Sequence, residues 1–214
     1  MVSIMRNMIR KFAASRFGRF LYKEDASVAV EYAILLPLFI TMVIGGLEIG
    51  RIYMVNTTLE GAITNSTRIA MTGALPAGYA NRNDYIEAIV LEALSGVGVT
   101  ENVVVTMKTY DSFTNIGEEE PYVDVNNNQD YDVGECFTDI NDNGDWDADM
   151  GAIGVGGEEN IMVMMIDVEL PFMTGIMNTI LNGSDSISLS AATAIRNEPF
   201  GGVAWTPSDN VICT

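Results

Sequence analysis

The sequence predicts an α+β protein: a long N-terminal transmembrane helix that runs on into a small outer domain with an antiparallel sheet of three strands or slightly more. Three observations carry this. No charged side chain interrupts the stretch from Tyr32 to Leu47. Beyond Arg51, apolar residues recur every three to four positions, the period of a one-sided helix. Three later segments alternate apolar and polar residues, the period of a half-buried strand.

The residues divide into a basic leader (1–25), a transmembrane helix (26–51), an amphipathic extension (52–75) and an extracytoplasmic domain (76–214). At 1.5 Å per residue, Tyr32 to Leu47 spans about 24 Å, and counting from Ala26 extends this to about 33 Å, enough for a hydrocarbon core of roughly 30 Å. Pro37 and the Gly45-Gly46 pair are tolerated in a membrane helix. Glu31 then lies at the membrane edge, where a carboxylate is costly and points to a role. A cleaved secretory signal would have a shorter apolar core and end in an Ala-x-Ala-like site, and neither is present.

The net charge is −18, but it is unevenly spread. Arg6, Arg10, Lys11, Arg16, Arg19 and Lys23 precede the apolar run, leaving five basic residues against all 29 acidic ones. The positive-inside rule then places the N-terminus in the cytoplasm and everything after Arg51 outside. So acidic an exterior argues against nucleic acid and favours cations as partners.

Along the chain, Ile52, Val55, Leu59, Ile63 and Ala70 form one apolar stripe, ended by Gly73 and Pro76. Asn83-Asp84 reads as an N-cap for a short helix over Tyr85–Leu94, stopped near Gly96. Asn102–Tyr110, Ile161–Leu170 and Ser186–Ile195 read as strands, with Pro171–Leu181 a short helix or loop under the sheet. The tail after Arg196 reads as irregular. Cys136 and Cys213, both on the outer side, stand either as a disulfide, which an oxidising compartment permits, or as two free thiols.

The chemically specific stretch lies in the acidic loop over 118–159. It reads Asp124-x-Asn126-x-Asn128-Gln-Asp130-x-Asp132, and fifteen residues later Asp139-x-Asn141-x-Asn143-Gly-Asp145-x-Asp147. Oxygen-bearing side chains at alternate positions are what a hard cation requires, with six to eight oxygens at about 2.3–2.6 Å. Glu135 falls at position 12 of the first half, where an EF-hand places its bidentate glutamate. In the second half Gly144 supplies the turn at position 6, Met150 stands at position 12, and Asp149 at position 11 is the substitute. The reading is Ca²⁺, one or two ions, in the weak extracellular class of about 10⁻⁴–10⁻³ M; Mg²⁺ suits an all-protein cage less well. Without a counter-ion, so many carboxylates are expected to keep the loop extended and mobile. The opposing reading is a solvated acidic loop that binds nothing. The chain has no His, which excludes Ser-His and Cys-His catalysis, and carboxylates at ligand spacing argue against an enzyme.

Ala26-Ser-Val-Ala-Val-Glu-Tyr-Ala-Ile-Leu-Leu-Pro37 and Leu47-Glu-Ile-Gly-Arg51 together resemble the TadE/TadG-like family of tight-adherence (Tad/Flp) pilus assembly. Asp-x-Asn-x-Asn loops and the run Arg196-Asn-Glu-Pro-Phe200 are further points of likeness. The resemblance implies a pilin-like fold and a single-pass protein of the bacterial inner (cell) membrane, its outer domain periplasmic or extracellular, working with other pilin or pilus-assembly subunits as a minor pilin or pseudopilin. It also implies processing by a prepilin peptidase between Ala26 and Ser27, ahead of Glu31-Tyr32, although Ala26 stands where the family's cleavage pattern has Gly. If the leader is cut, Glu31 pairs with a neighbour's new α-amino group; if not, Glu31 sits at headgroup level. The rival function is a membrane-anchored calcium-binding module for adhesion or secretion, with no filament role.

Overall fold

The computed structural model describes residues 25–180, 183–199 and 204–213; residues 1–24 of the basic leader, Leu181 and Phe200 lie outside them. Helix α1 (Asp25–Met71) runs unbroken through both the apolar segment and its extension. Pro37 does not break it, and the Thr41 hydroxyl one turn later donates to the Pro37 carbonyl at 2.8 Å. The helix stops where Gly73 takes a left-handed φ of 67°.

Helix α2 (Arg82–Ser95) follows. Its N-cap is Asn81 and not Asn83: the Asn81 side chain accepts from the Asp84 N–H at 2.8 Å, while Asn83 accepts from Val155 N. Strands β1 (Val103–Tyr110), β2 (Cys136–Asp139), β3 (Ala152–Ile153) and β4 (Ile161–Pro171), the short helix α3 (Gly175–Ile180), and strands β5 (Ser186–Arg196) and β6 (Asn210–Cys213) follow, with a single 3-10 turn (Phe113–Asn115) between β1 and β2. The main sheet has the order β3-β1-β4-β5, antiparallel at every pairing, and β2 pairs with β6 in a second, two-stranded sheet. The tail expected to be irregular therefore ends in a strand.

Period-two alternation on β4 aims Met162, Met164, Ile166, Val168 and Leu170 at one face, where all are buried. Against them pack Val55, Leu59 and Ile63 of α1 and Ile86, Val90 and Leu94 of α2. Asp167 and Glu169 face away, as the alternation requires. Strand β5 adds Ile187, Leu189, Ala191 and Ile195 to the core side. The result is α+β, with one stretch of α1 serving as a wall of the domain core. The preceding stretch is bare: Leu36, Leu38, Phe39 and Met42 are all exposed.

Candidate functional site

Residues 120–149 form two fifteen-residue repeats related by an approximate twofold. Val123 N donates to Cys136 O, and its repeat mate Thr138 N donates to Pro121 O. Tyr122 and its mate Phe137 form a β-bridge. Tyr131 and its mate Trp146 stack on each other, ring centroids 4.6 Å apart and 15° from parallel. Stacked rings of this kind add about 0.5–1.5 kcal/mol beyond their burial.

Each repeat carries one loop. In the first, the Asp124 carboxylate accepts from the backbone N–H of Asn127, Asn128 and Gln129. The side-chain amides of Asn126 and Asn128 converge on Asp132 Oδ2, both at 2.7 Å. In the second, Asp139 accepts from Asn143 and Gly144, and the Asn141 and Asn143 amides converge on Asp147 Oδ2 at 2.8 and 2.6 Å. Side chains at positions 1, 3, 5 and 9 thus turn inward in both loops. Asp130 and Asp145, at position 7, present their backbone to the turn; each N–H donates to the Asn two residues earlier. Position 6 is left-handed in both, at Gln129 (φ 68°) and Gly144 (φ 91°). The loops are compact, with backbone N–H groups directed at the carboxylates of position 1 in each.

The sequence reading missed Glu120. Glu135 accepts from Val125 N at 2.8 Å and Asp132 N at 3.1 Å, closing the first loop. Glu120 accepts from Ile140 N at 2.8 Å and Asp147 N at 3.1 Å, the same two positions of the second loop. The residue at position 12 of the second loop is thus replaced by one that precedes the first loop. Each repeat's glutamate closes the other repeat's loop. Glu120 has no exposed surface. Burial pushes its carboxyl up, against the N–H groups of Asp147, Ile140 and Asn141, which pull it down.

Asp149, expected as a stand-in ligand, is engaged elsewhere. Lys108 Nζ holds its Oδ2 at 2.8 Å, and the Tyr110 hydroxyl and Gly151 N–H donate to its Oδ1. A disulfide joins Cys136 to Cys213 and ties β6 to the start of the second repeat.

The donor set is all oxygen: two carboxylates, two amides and a glutamate per loop, with no Lys or Arg from Glu118 to Asp149. Among the described residues no three His, Cys, Asp or Glu side chains are gathered at metal-holding distance. Any ion therefore needs the asparagines, whose amides reverse by a half-turn to present oxygen. The residues fit a hard, oxygen-seeking cation and not a soft one.

A second constellation stands at the base of the domain. Glu48 is 2% exposed; its oxygens accept from Met173 N at 2.6 Å and Thr174 Oγ1 at 2.8 Å. Arg51 donates to Pro171 O at 2.8 Å. The Leu47-Glu-Ile-Gly-Arg51 step is thus a clamp between α1 and the β4–α3 connection. Glu31 and Tyr32 lie on α1, and the Ala26–Ser27 bond falls within its first turn.

No curated protein and no solved structure matches the chain. A family model does: TadE-like protein, over residues 26–68. Those residues cover the apolar segment, the Glu48–Arg51 clamp and most of the helix wall of the core, and it is over this stretch that the chain is similar to TadE-like proteins.

Proposed function

We propose that this chain is a non-enzymatic, single-pass membrane subunit of Tad/Flp-type pilus assembly, minor pilin or pseudopilin in kind, whose outer loops are stiffened by Ca²⁺. The observation that carries the reading is the TadE-like match on a helix of two characters. It is apolar and exposed up to Leu47, with mean hydropathy 2.0 over its best 18-residue window, and is built into the domain core beyond that. A helix long and apolar enough to cross a membrane and bare of protein contacts calls for lipid. The basic leader orients it with the domain outside, and the Cys136–Cys213 disulfide suits that compartment. The prepilin-peptidase step at Ala26–Ser27 belongs to the same reading.

For the cation, Asp124, Asn126, Asn128, Asp132 and Glu135 would hold one ion; Asp139, Asn141, Asn143, Asp147 and Glu120 would hold the other. Bound Ca²⁺ supplies the positive charge the repeats lack. The swapped glutamates make each loop's closure depend on its neighbour.

Deleting the chain from a piliated strain tests the main claim: loss of pili is expected, and a normally piliated deletion strain overturns it in favour of an adhesion or secretion module. Titrating Ca²⁺ into the detergent-solubilised full-length protein tests the loops. A rise in melting temperature at millimolar Ca²⁺ is expected, weakened at least tenfold in apparent affinity by Glu120→Gln as by Glu135→Gln. No shift in the unsubstituted protein reduces the loops to solvated acid.

A further inference from the structure

The connection from β4 to β5 stands apart in a chain of net charge −18: between Glu169 and Asp185 no side chain is charged. Its sequence is apolar as well, with Phe172, Met173, Ile176, Met177 and Ile180. The structure fixes its height on the rod. Phe172 N donates to Asp185 O at 3.0 Å, closing the connection at its base. The hydrogen bonds of Glu48 to Met173 and Thr174, and of Arg51 to Pro171, then hold it beside residues 48–51 of α1. That is the turn immediately after the uncharged run ends at Leu47.

At this height the surface of α1 is still apolar and bare: Leu47 is 69% exposed and Ile49 59%. Met173, on the connection, is 70% exposed. A carboxylate facing lipid here would be costly, and Glu48 avoids that because the connection covers it and supplies two donors. The exposed Met173 side chain on the covering segment then stands at the same height along the rod as the apolar surface of the helix at Leu47 and Ile49. The rest of the domain is acidic and is repelled by anionic headgroups, so this uncharged edge is the part that can approach them.

We propose that the Pro171–Ile180 connection is a second membrane contact, seated in the headgroup–hydrocarbon boundary beside α1. The occupant is the lipid bilayer itself. Short apolar segments seat there to a depth of roughly 5–10 Å. Held at two points, the rod and this edge, the domain keeps a fixed orientation to the membrane plane. The inference rests on the membrane-spanning reading of α1, and its test separates the two.

Spin labels are placed one at a time at Phe39, Met173 and Ile153 (by Phe39→Cys, Met173→Cys and Ile153→Cys) in the full-length protein reconstituted in phosphatidylcholine–phosphatidylglycerol vesicles. Collision with oxygen is then compared with collision with a water-soluble nickel chelate. The expected result is a several-fold excess of oxygen over nickel at Phe39 and at Met173, with Ile153 aqueous. Phe39 in lipid with Met173 as aqueous as Ile153 overturns this inference and leaves the anchor standing. Phe39 aqueous removes the anchor and this inference with it. A Met173 label shielded from both reagents means that protein covers the segment, which also overturns the proposal. The unsubstituted protein gives an independent check, in which a diazirine-bearing lipid is expected to label the peptide containing Phe172 and Met173 as well as α1; label on α1 alone counts against the proposal.

Discussion

In the body of the domain, one face of β4 meets α1 and α2 through Met162, Met164, Ile166, Val168 and Leu170, and water is excluded along the whole contact. In the duplicated loop, Phe137 is the one buried apolar side chain among the described residues from 118 to 151. The loop instead relies on carboxylate–backbone hydrogen bonds, stacked rings and a disulfide. The two regions sit in one chain but answer to different variables. Apolar burial is indifferent to cations and to moderate changes of pH. A region held by charge-assisted hydrogen bonds changes with every proton or ion that reaches it.

The largest expected break in this comparison comes from the disulfide. Cys136 and Cys213 lie 77 residues apart, and the loop-closure model assigns a cross-link over that separation about 4–5 kcal/mol. The double variant Cys136→Ser, Cys213→Ser should therefore lose several kcal/mol of unfolding free energy in chemical denaturation. A loss below about 1 kcal/mol would mean that β2–β6 pairing alone closes the region, and that its lack of an apolar core is not offset by the cross-link.

The two regions also differed in how far they could be read from sequence. The body was legible because it is periodic. The stripe Val55–Leu59–Ile63 and the alternation from Met162 to Leu170 each follow from one burial face, and their lengths are enough to establish the period. The sheet's fourth strand, Ala152–Ile153, is too short to show any period, as are the four-residue β2 and β6. Asn81 and Asn83 are both good N-cap residues two positions apart, and only the hydrogen bond to Asp84 N decides between them.

In the loops, ligand-type spacing was plain but its closure was not. Searching for a position-12 acid inside each loop finds Glu135 and then Met150. The signal that leads to Glu120 is the repeat itself, which begins at Glu120-Pro-Tyr-Val and again at Glu135-Cys-Phe-Thr, four residues before each aspartate. A count of charges likewise leaves out the backbone donors that Asp124 and Asp139 find within their own turns.

A smaller effect sharpens the comparison within the loop. Gly144 occupies the left-handed position 6 without strain, whereas Gln129 holds the same conformation with a Cβ. Left-handed backbone costs a non-glycine residue roughly 1–2 kcal/mol, offset in part by the greater freedom glycine has in the unfolded chain. Gln129→Gly should therefore raise stability by up to about 1 kcal/mol, measured by denaturant midpoint at unchanged slope. A fall in stability would show that the Gln129 side chain contributes more than its backbone costs.

The effect confined to the narrowest range of conditions is set by pH, at the junction of the two regions, where β1 of the body meets the end of the second repeat. Burial pushes the Asp149 carboxyl up, but hydrogen bonds from Lys108, Tyr110 and Gly151 and the Lys108 charge bring it below its usual value. Burial, and then Asp149, push the Tyr110 phenol up. The signs are opposite in their pH windows. A depressed carboxyl stabilises above its unfolded value of about 3.9 and loses that contribution as pH falls through the folded value. A raised phenol retains its contribution below its unfolded value of about 10 and loses it as pH rises beyond that. Tyr110→Phe removes the titrating phenol and one donor to Asp149, a hydrogen bond worth about 1 kcal/mol or a little more. Thermal melts from pH 3 to pH 11 should then show a lower plateau for the variant, a shallower decline above pH 10, and a smaller decline below pH 4. Parallel curves at both ends would place the pH response of this junction outside the Lys108–Asp149–Tyr110 cluster.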